Sequence, residues 1–398
     1  MDTAPIKSQT RRLVAGVMSG TSLDGVDVAL TWLEGSGRNL KMDPAGTFFH
    51  PYSGALKEVV LQQSAPETSD VRTLTLLNAL LPQVYAEAIL LALDAAQIPP
   101  ESLDLVGVHG QTVHHLPEPQ VVAGYPVRAT LQLGCPITLA QLLGVPVVGQ
   151  FRMADMALGG QGAPLVPYFD FVRFSSAEET RGLLNLGGIA NLTALPRGCE
   201  ASEVYAFDTG PANMLIDGLV QRLFGIPYDA DGERAVRGTV DEKILAGWLD
   251  DAYLHQPPPK STGREKYTAG FVQHVMDQFG LHDGDTSARA FDALATATAF
   301  TARSVYDAYQ RFVEPQHPLD VLIVSGGGVR NRTLMHALGT LFAPIPVRSI
   351  EAYGVDSDSK EALCFAVLAH EWVNGTPTGM PGVTGAPRAV RQGMYCIP

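Results

Sequence analysis

The sequence reads as an α/β enzyme built from two halves of the same hairpin-plus-helix plan. Its length, two pairs of matching segments and a set of glycine-bearing turns predict this. At 398 residues the chain exceeds what one hydrophobic core usually supports, so two domains are expected. Residues 13–35, LVAGVMSGTSLDGVDVALTWLEG, and residues 182–198, GLLNLGGIANLTALPRG, each set a polar, glycine-bearing turn between two apolar runs. That is the signature of a hairpin.

The second pair is closer. Residues 103–115, LDLVGVHGQTVHH, and 319–331, LDVLIVSGGGVRN, each carry an apolar run that ends in a glycine turn. Such a run suits a strand buried on both faces. TLAQLLGVPVVGQF from Thr138 and TLMHALGTLFAPIPVRSI from Thr333 follow in the same order. Each reads as a short helix passing through a Gly or Pro break into another strand. Matches repeated in order point to duplication rather than to a generic α/β pattern.

The expected division is 1–150 for the first domain and 151–374 for the second, with the tail, 375–398, packing back on the first. The second domain carries an insertion near 228–269, whose Pro, Gly and charged residues predict long loops. Between the halves, RMADMALGGQGAPLVPYF from Arg152 is too glycine-rich for a helix and too apolar for a solvated linker. It is expected to be a hinge or cleft-lining loop.

Hydrophobic residues make up 46% and charged residues 17%, as in soluble globular enzymes. A net charge of −13 excludes a nucleic-acid partner, because no basic surplus exists to neutralise phosphates. Cys135, Cys199, Cys364 and Cys396 form no C-x-x-C pair, which suits a reducing compartment. No apolar run is read as long enough for a membrane span, and the polar start lacks the apolar core of a secretion signal. The expectation is a cytoplasmic protein without a membrane partner; a homodimer stays open.

Three turns carry candidate chemistry. The first holds Gly20, Thr21, Ser22, Leu23, Asp24, Gly25, Val26 and Asp27. Its hydroxyls and amides can donate to phosphate oxygens, and Asp24 can hold the water shell of Mg²⁺. An ordinary hairpin loop capped by its own Ser and Asp side chains is the alternative. In the second, Asp208 follows a strand-like run and precedes the helical MLIDGLVQRLF. There it can accept a proton while the helix end favours a nearby anion; a simple N-cap is the alternative. The third holds Gly326, Gly327 and Gly328, whose bare backbone lets a flat ring lie against it. The P-loop, nucleophile-elbow and H-E-x-x-H templates are absent, and His109, His114 and His115 lack a partner at metal-ligand spacing.

Two duplicated α/β domains with glycine turns resemble the actin, sugar-kinase and Hsp70 clan. That resemblance implies two actin-like (ribonuclease H-like) domains, each a mixed five-stranded sheet flanked by helices, with an interdomain cleft. MSGTSLDGVD, HGQTVHH, FRMADMALGGQGAPLVP, LNLGGIANLT, FDTGPANMLID and SGGGVRN together resemble the anhydro-N-acetylmuramic acid kinases from about residue 13 to the end. Ala212 stands where the family usually has glycine, and His114 where arginine is common.

The resemblance implies an ATP- and Mg²⁺-dependent kinase of bacterial cell-wall recycling. Such a kinase opens 1,6-anhydro-N-acetylmuramic acid with water and yields N-acetylmuramic acid 6-phosphate and ADP. It further implies that Asp208 is the base, with ATP on residues 20–27, Gly187 and 326–328. His109, Gln111, Thr112, Arg152, Asp155 and Glu361 would face the sugar, Glu361 entering from the second half. An ion pair between Arg152 and Asp155 is the alternative for those two. A clan kinase acting on an ordinary hydroxyl, or a non-catalytic ATP-switch module, are the rival functions.

Overall fold

Residues 13–17 are buried on both faces of a strand, with Leu13, Ala15 and Val17 on one face and Gly16 on the other. A computed structural model describes residues 11–20, 23–262, 266–267 and 269–398. Two compact units are present: Met1–Arg173 with Asp358–Pro398, and Phe174–Ser357. The first contains β1 (Arg11–Ser19), β2 (Gly25–Glu34), β3 (Lys41–Pro51), β4 (Leu105–Val122), β5 (Tyr125–Leu133) and β6 (Val147–Gly149). The second contains β7 (Arg181–Leu186), β8 (Ile189–Leu195), β9 (Tyr205–Pro211), β10 (Val321–Ser325) and β11 (Val347–Ser349). The chain returns to the first unit with β12 (Met394–Cys396).

In the first sheet β1, β2 and β3 form an antiparallel meander, with Val17 opposite Val28 and Val28 opposite Phe48. β4 joins β1 in parallel and β6 joins β4 in parallel, giving the order β3-β2-β1-β4-β6. In the second sheet β7, β8 and β9 are antiparallel, and β10 and β11 follow in parallel on the other side of β7. The order is again third, second, first, fourth, fifth. Both units therefore have the actin-like, ribonuclease H-like five-strand plan. The first adds two strands: β5 folds back on the outer half of β4, and β12 pairs antiparallel with β6.

The long helix Val71–Ala95 covers the first sheet with Leu77, Leu81, Tyr85, Ile89 and Leu93, which share one core with Leu13, Val17 and Leu30. Length and composition alone would let this helix cross a membrane, contrary to the reading that no run is long enough. Burial of those five side chains makes it a core helix here; each is worth about 1.5–3 kcal/mol.

The helix Lys360–Asn374 packs on β1 and β4. Its approach is so close that a Cβ at Gly16 would collide with the Ala362 carbonyl, and one at Gly107 with the Phe365 carbonyl. These two strand glycines place the helix in the first unit, so Glu361 arises there and not from the second half. Relative to the expected division at 150/151, residues 151–173 and 358–374 also lie in the first unit.

In the second unit Leu184, Leu192, Phe207, Leu322 and Val324 form a core with Tyr309, Leu338 and Phe342. A separate cluster joins the helices Asn213–Phe224, Glu242–Leu249, Ala269–Phe279 and Ala288–Phe312 through Leu219, Trp248, Met276 and Phe300. The inserted region thus packs its helix Glu242–Leu249 against helices from the flanking chain. Ala288–Phe312 runs through both clusters, and its Thr301 hydroxyl donates to the Pro211 carbonyl at 3.0 Å, fixing the end of β9.

Candidate functional site

Partway along β4, where it parts from β1 at Gln111 and runs on beside β5, polar side chains gather. His109 is 4% exposed, and its ring lies 4.8 Å from that of Phe365 on the helix Lys360–Asn374. The Arg152 Nη2 group stands 2.9 Å from His109 Nε2. A guanidinium only donates, so Nε2 accepts and the proton of the neutral ring sits on Nδ1. Burial, then the charge of Arg152, pushes His109 well below the usual histidine range. Arg152 also donates through Nη1 to the Gly162 carbonyl at 2.9 Å. Burial lowers it to about 10, against the pull of Glu361, so it stays a cation at neutral pH.

Gln111 is fully buried and donates through Nε2 to the Gly20 carbonyl at 3.2 Å. Thr112 accepts from Gln132 Nε2 at 3.2 Å. Among the described residues, four buried polar atoms here have no hydrogen-bond partner: His109 Nδ1, Gln111 Oε1, Gln132 Oε1 and Arg152 Nε. A buried polar group left unpaired costs about 1–3 kcal/mol. Four of them close together leave hydrogen-bonding capacity that a polar ligand or water can take up.

Asp155 has a different role. It is fully buried, and its Oδ2 accepts the Gly162 N–H at 2.8 Å while Oδ1 accepts the Thr384 hydroxyl at 2.7 Å. Arg152 and Asp155 therefore go to separate partners, and the ion pair between them is not formed. Asp155 pins the glycine loop whose Gly162 carbonyl receives Arg152. Thr384 and Gln132 were not picked out from the sequence, which carries no motif for them. The Nδ1 atom of His115 lies 3.0 Å from the Thr130 hydroxyl, and burial and then Arg152 lower this histidine to about 4. Glu361 keeps solvent access, yet desolvation raises its carboxyl, opposed by Lys360 and Arg152.

In the β1–β2 turn, Thr21 and Ser22 lie outside the described residues. Leu23 adopts φ +57° with its side chain in the core, a left-handed conformation that costs about 1–2 kcal/mol. Asp24 is exposed and pairs with Lys57 at 2.7 Å. Gly25 and Val26 are buried in β2, and Asp27 is half-buried opposite Met18 and Phe49.

In the second unit Asp208 lies on β9 just before an irregularity in its pairing with β8. Residues 253–262 hold it at three points. Its N–H donates to the Lys260 carbonyl at 3.2 Å, its carbonyl accepts the Tyr253 hydroxyl at 3.0 Å, and Oδ2 accepts the Thr262 N–H at 2.9 Å. The helix Asn213–Phe224 is capped by Ala212 without a side-chain bond, so Asp208 is not its N-cap. The first N–H groups of that helix were expected to favour an anion. Instead those of Ala212, Asn213 and Met214 donate to the carbonyls of Gly188, Gly187 and Gly188 in the β7–β8 turn.

At the end of β10, a Cβ on Gly326 would stand 2.8 Å from the Leu186 carbonyl, and one on Gly328 would stand 2.5 Å from the Leu186 Cβ. Two of the three glycines thus let this turn pack on the end of β7. Gly327 differs: a Cβ there would meet only Asn213 Nδ2, at 3.5 Å.

The family model for anhydro-N-acetylmuramic acid kinase matches residues 12–397. The chain is 53% identical over 393 residues to the anhydro-N-acetylmuramic acid kinase of Salinibacter ruber, covering 98% of this chain and 97% of that one. Identity to the protein of that name from Caldanaerobacter subterraneus is 40% over 394 residues, covering 98% of each. Identity to that from Bacillus cereus is 40% over 387 residues, covering 97% of this chain and 99% of that one.

Proposed function

Since the chain belongs to the anhydro-N-acetylmuramic acid kinase family, we propose that it phosphorylates 1,6-anhydro-N-acetylmuramic acid at O6 while opening the anhydro ring with water. The products are N-acetylmuramic acid 6-phosphate and ADP, and the enzyme is a cytoplasmic phosphotransferase of cell-wall recycling. The observation that carries the sugar site is the cluster of four buried atoms on His109, Gln111, Gln132 and Arg152 that lack a partner among the described residues.

Asp208 removes a proton from water as the water oxygen bonds to the anomeric carbon. The bond from that carbon to O6 breaks, and the freed O6 attacks the γ-phosphorus of ATP. The γ-phosphorus then separates from the bridging oxygen of ADP, and the proton on Asp208 returns to solvent. The Thr262 N–H on Oδ2 favours the anionic carboxylate that this role requires.

Sugar recognition falls to the first unit. Neutral His109 offers its Nδ1–H, Gln111 and Gln132 offer acceptors, and the Arg152 cation suits the lactyl carboxylate through its remaining Nε–H. Thr112 and Glu361 contribute oxygens to sugar hydroxyls, and Asp155 acts through the loop it pins. Residues 20–27 receive the phosphates of ATP; Gly187 and residues 326–328 lie toward adenosine.

Magnesium normally keeps several waters and binds through one or two carboxylates plus phosphate oxygens, so no preformed cage is needed. The exposed carboxylate of Asp24 fits such a water-mediated contact, in competition with Lys57. Bound there with ATP, Mg²⁺ would neutralise phosphate charge.

Mass analysis of the product from protein, Mg-ATP and 1,6-anhydro-N-acetylmuramic acid tests the reading. The expected product is heavier than the sugar by one phosphoryl group and one water. A product that gains phosphate and keeps the anhydro bond would overturn the hydrolytic step. No product at all would overturn the activity.

A further inference from the structure

The strap that grips Asp208, residues 253–262, is closed on itself by one buried cation that also rests on the rings of Phe207 and Phe312. Lys260 is 7% exposed, and its ammonium donates to the Tyr253 and Leu254 carbonyls at 3.2 and 3.0 Å. It sits 4.9 Å from the ring centres of Tyr253 and Phe312, and 5.9 Å from that of Phe207, the residue before Asp208. Among the described residues it makes no ion pair. A buried ammonium held only by carbonyls and ring faces is a costly way to anchor a loop, and an apolar side chain of similar volume would often serve stability as well or better.

What the charge adds is its field at Asp208. We propose that Lys260 is a positioning residue for Asp208: its ammonium locks the strap that orients the carboxylate and keeps that carboxylate anionic. This rests on the reading of Asp208 as the base.

The charged and titratable groups facing Lys260 come from three elements. They are Asp208 on β9, Tyr253 on the short helix Ala252–His255 and Arg311 on Ala288–Phe312, itself in contact with His255. Desolvation, then Arg311, lowers Lys260 to about 8, while Asp208 pulls the other way. The ammonium is thus charged at neutral pH and is lost as pH rises through about 8. Because the attraction is mutual, removing it makes Asp208 easier to protonate.

The test compares pH profiles of kcat and KM for the wild type, Lys260→Met, Lys260→Arg and Asp208→Asn. Lys260→Met is expected to lower kcat by about 10- to 100-fold, with both KM values within about twofold, because a small misplacement of a reacting group costs rate and not binding. Its acid limb should move up by about one unit, a shift that loss of mere scaffolding would not produce. Lys260→Arg, which keeps the charge, should restore most of kcat and the acid limb.

Wild-type kcat and an unmoved acid limb in folded Lys260→Met would overturn the proposal. Should that variant fail to fold, Lys260→Gln, which retains one hydrogen bond to the strap carbonyls, decides between the same two outcomes. Normal turnover by Asp208→Asn would instead sink the reading of Asp208 as base, whatever Lys260 does.

Discussion

The stretch of β4 where it parts from β1 and the end of β10 where it parts from β7 occupy the same position in two sheets of the same strand order, yet they carry opposite kinds of residue. At β4 the chain places His109 and Gln111, side chains that each keep one buried polar atom without a partner among the described residues. At β10 it places three glycines, two of them packed on Leu186. One fold position thus presents polar side chains, the other bare backbone. The first suits a ligand recognised by directed hydrogen bonds, such as a sugar acid. The second suits one recognised by close approach, such as a nucleotide. The proposed base belongs to neither; Asp208 stands on β9, held by its own strap.

Substitutions can break that division. Asp208→Asn should lower kcat by about 10²- to 10⁴-fold, the usual worth of a general base, with little change in either KM. A large change in one KM would make Asp208 part of one of the binding ends. Arg152→Met should lower kcat/KM for the sugar by about 10- to 100-fold, as expected for a charged hydrogen bond, and leave nucleotide affinity intact. Steady-state kinetics with each substrate varied in turn reads both.

Gly328→Ala should act on the fold, because the new methyl must displace Leu186; a loss of about 1–3 kcal/mol in a denaturant melt is expected. Unchanged stability would mean that the turn is not packed as described. The smallest effect belongs to Asp24→Asn. Its exposed pair with Lys57 is worth within about 1 kcal/mol, so stability should hold while the Mg²⁺ requirement rises.

Much of this was legible in the sequence. The two hairpins, the two buried strands that end in glycine turns and the short helices after them appear as local patterns, because strand burial and turn chemistry act over a few residues. His109, Gln111 and Arg152 could be named because motifs carried them. What could not be read depends on distant contacts. Gly16 and Gly107 look like ordinary small strand residues until the helix Lys360–Asn374 lies on them, and this is why Glu361 was assigned to the other half. Thr384 meets Asp155 from 229 positions away, with no spacing to announce it. The helix Val71–Ala95 escaped notice as a long apolar stretch because Thr, Asn and Gln interrupt its run of leucines.

The most direct test of the division between the two ends is a crossed calorimetric titration. 1,6-Anhydro-N-acetylmuramic acid and a non-hydrolysable ATP analogue are each titrated into Gln111→Leu and Gly327→Val, the latter chosen because that position has room for a side chain. The account predicts that Gln111→Leu weakens only the sugar and Gly327→Val only the nucleotide. Both substitutions weakening the same ligand would contradict it.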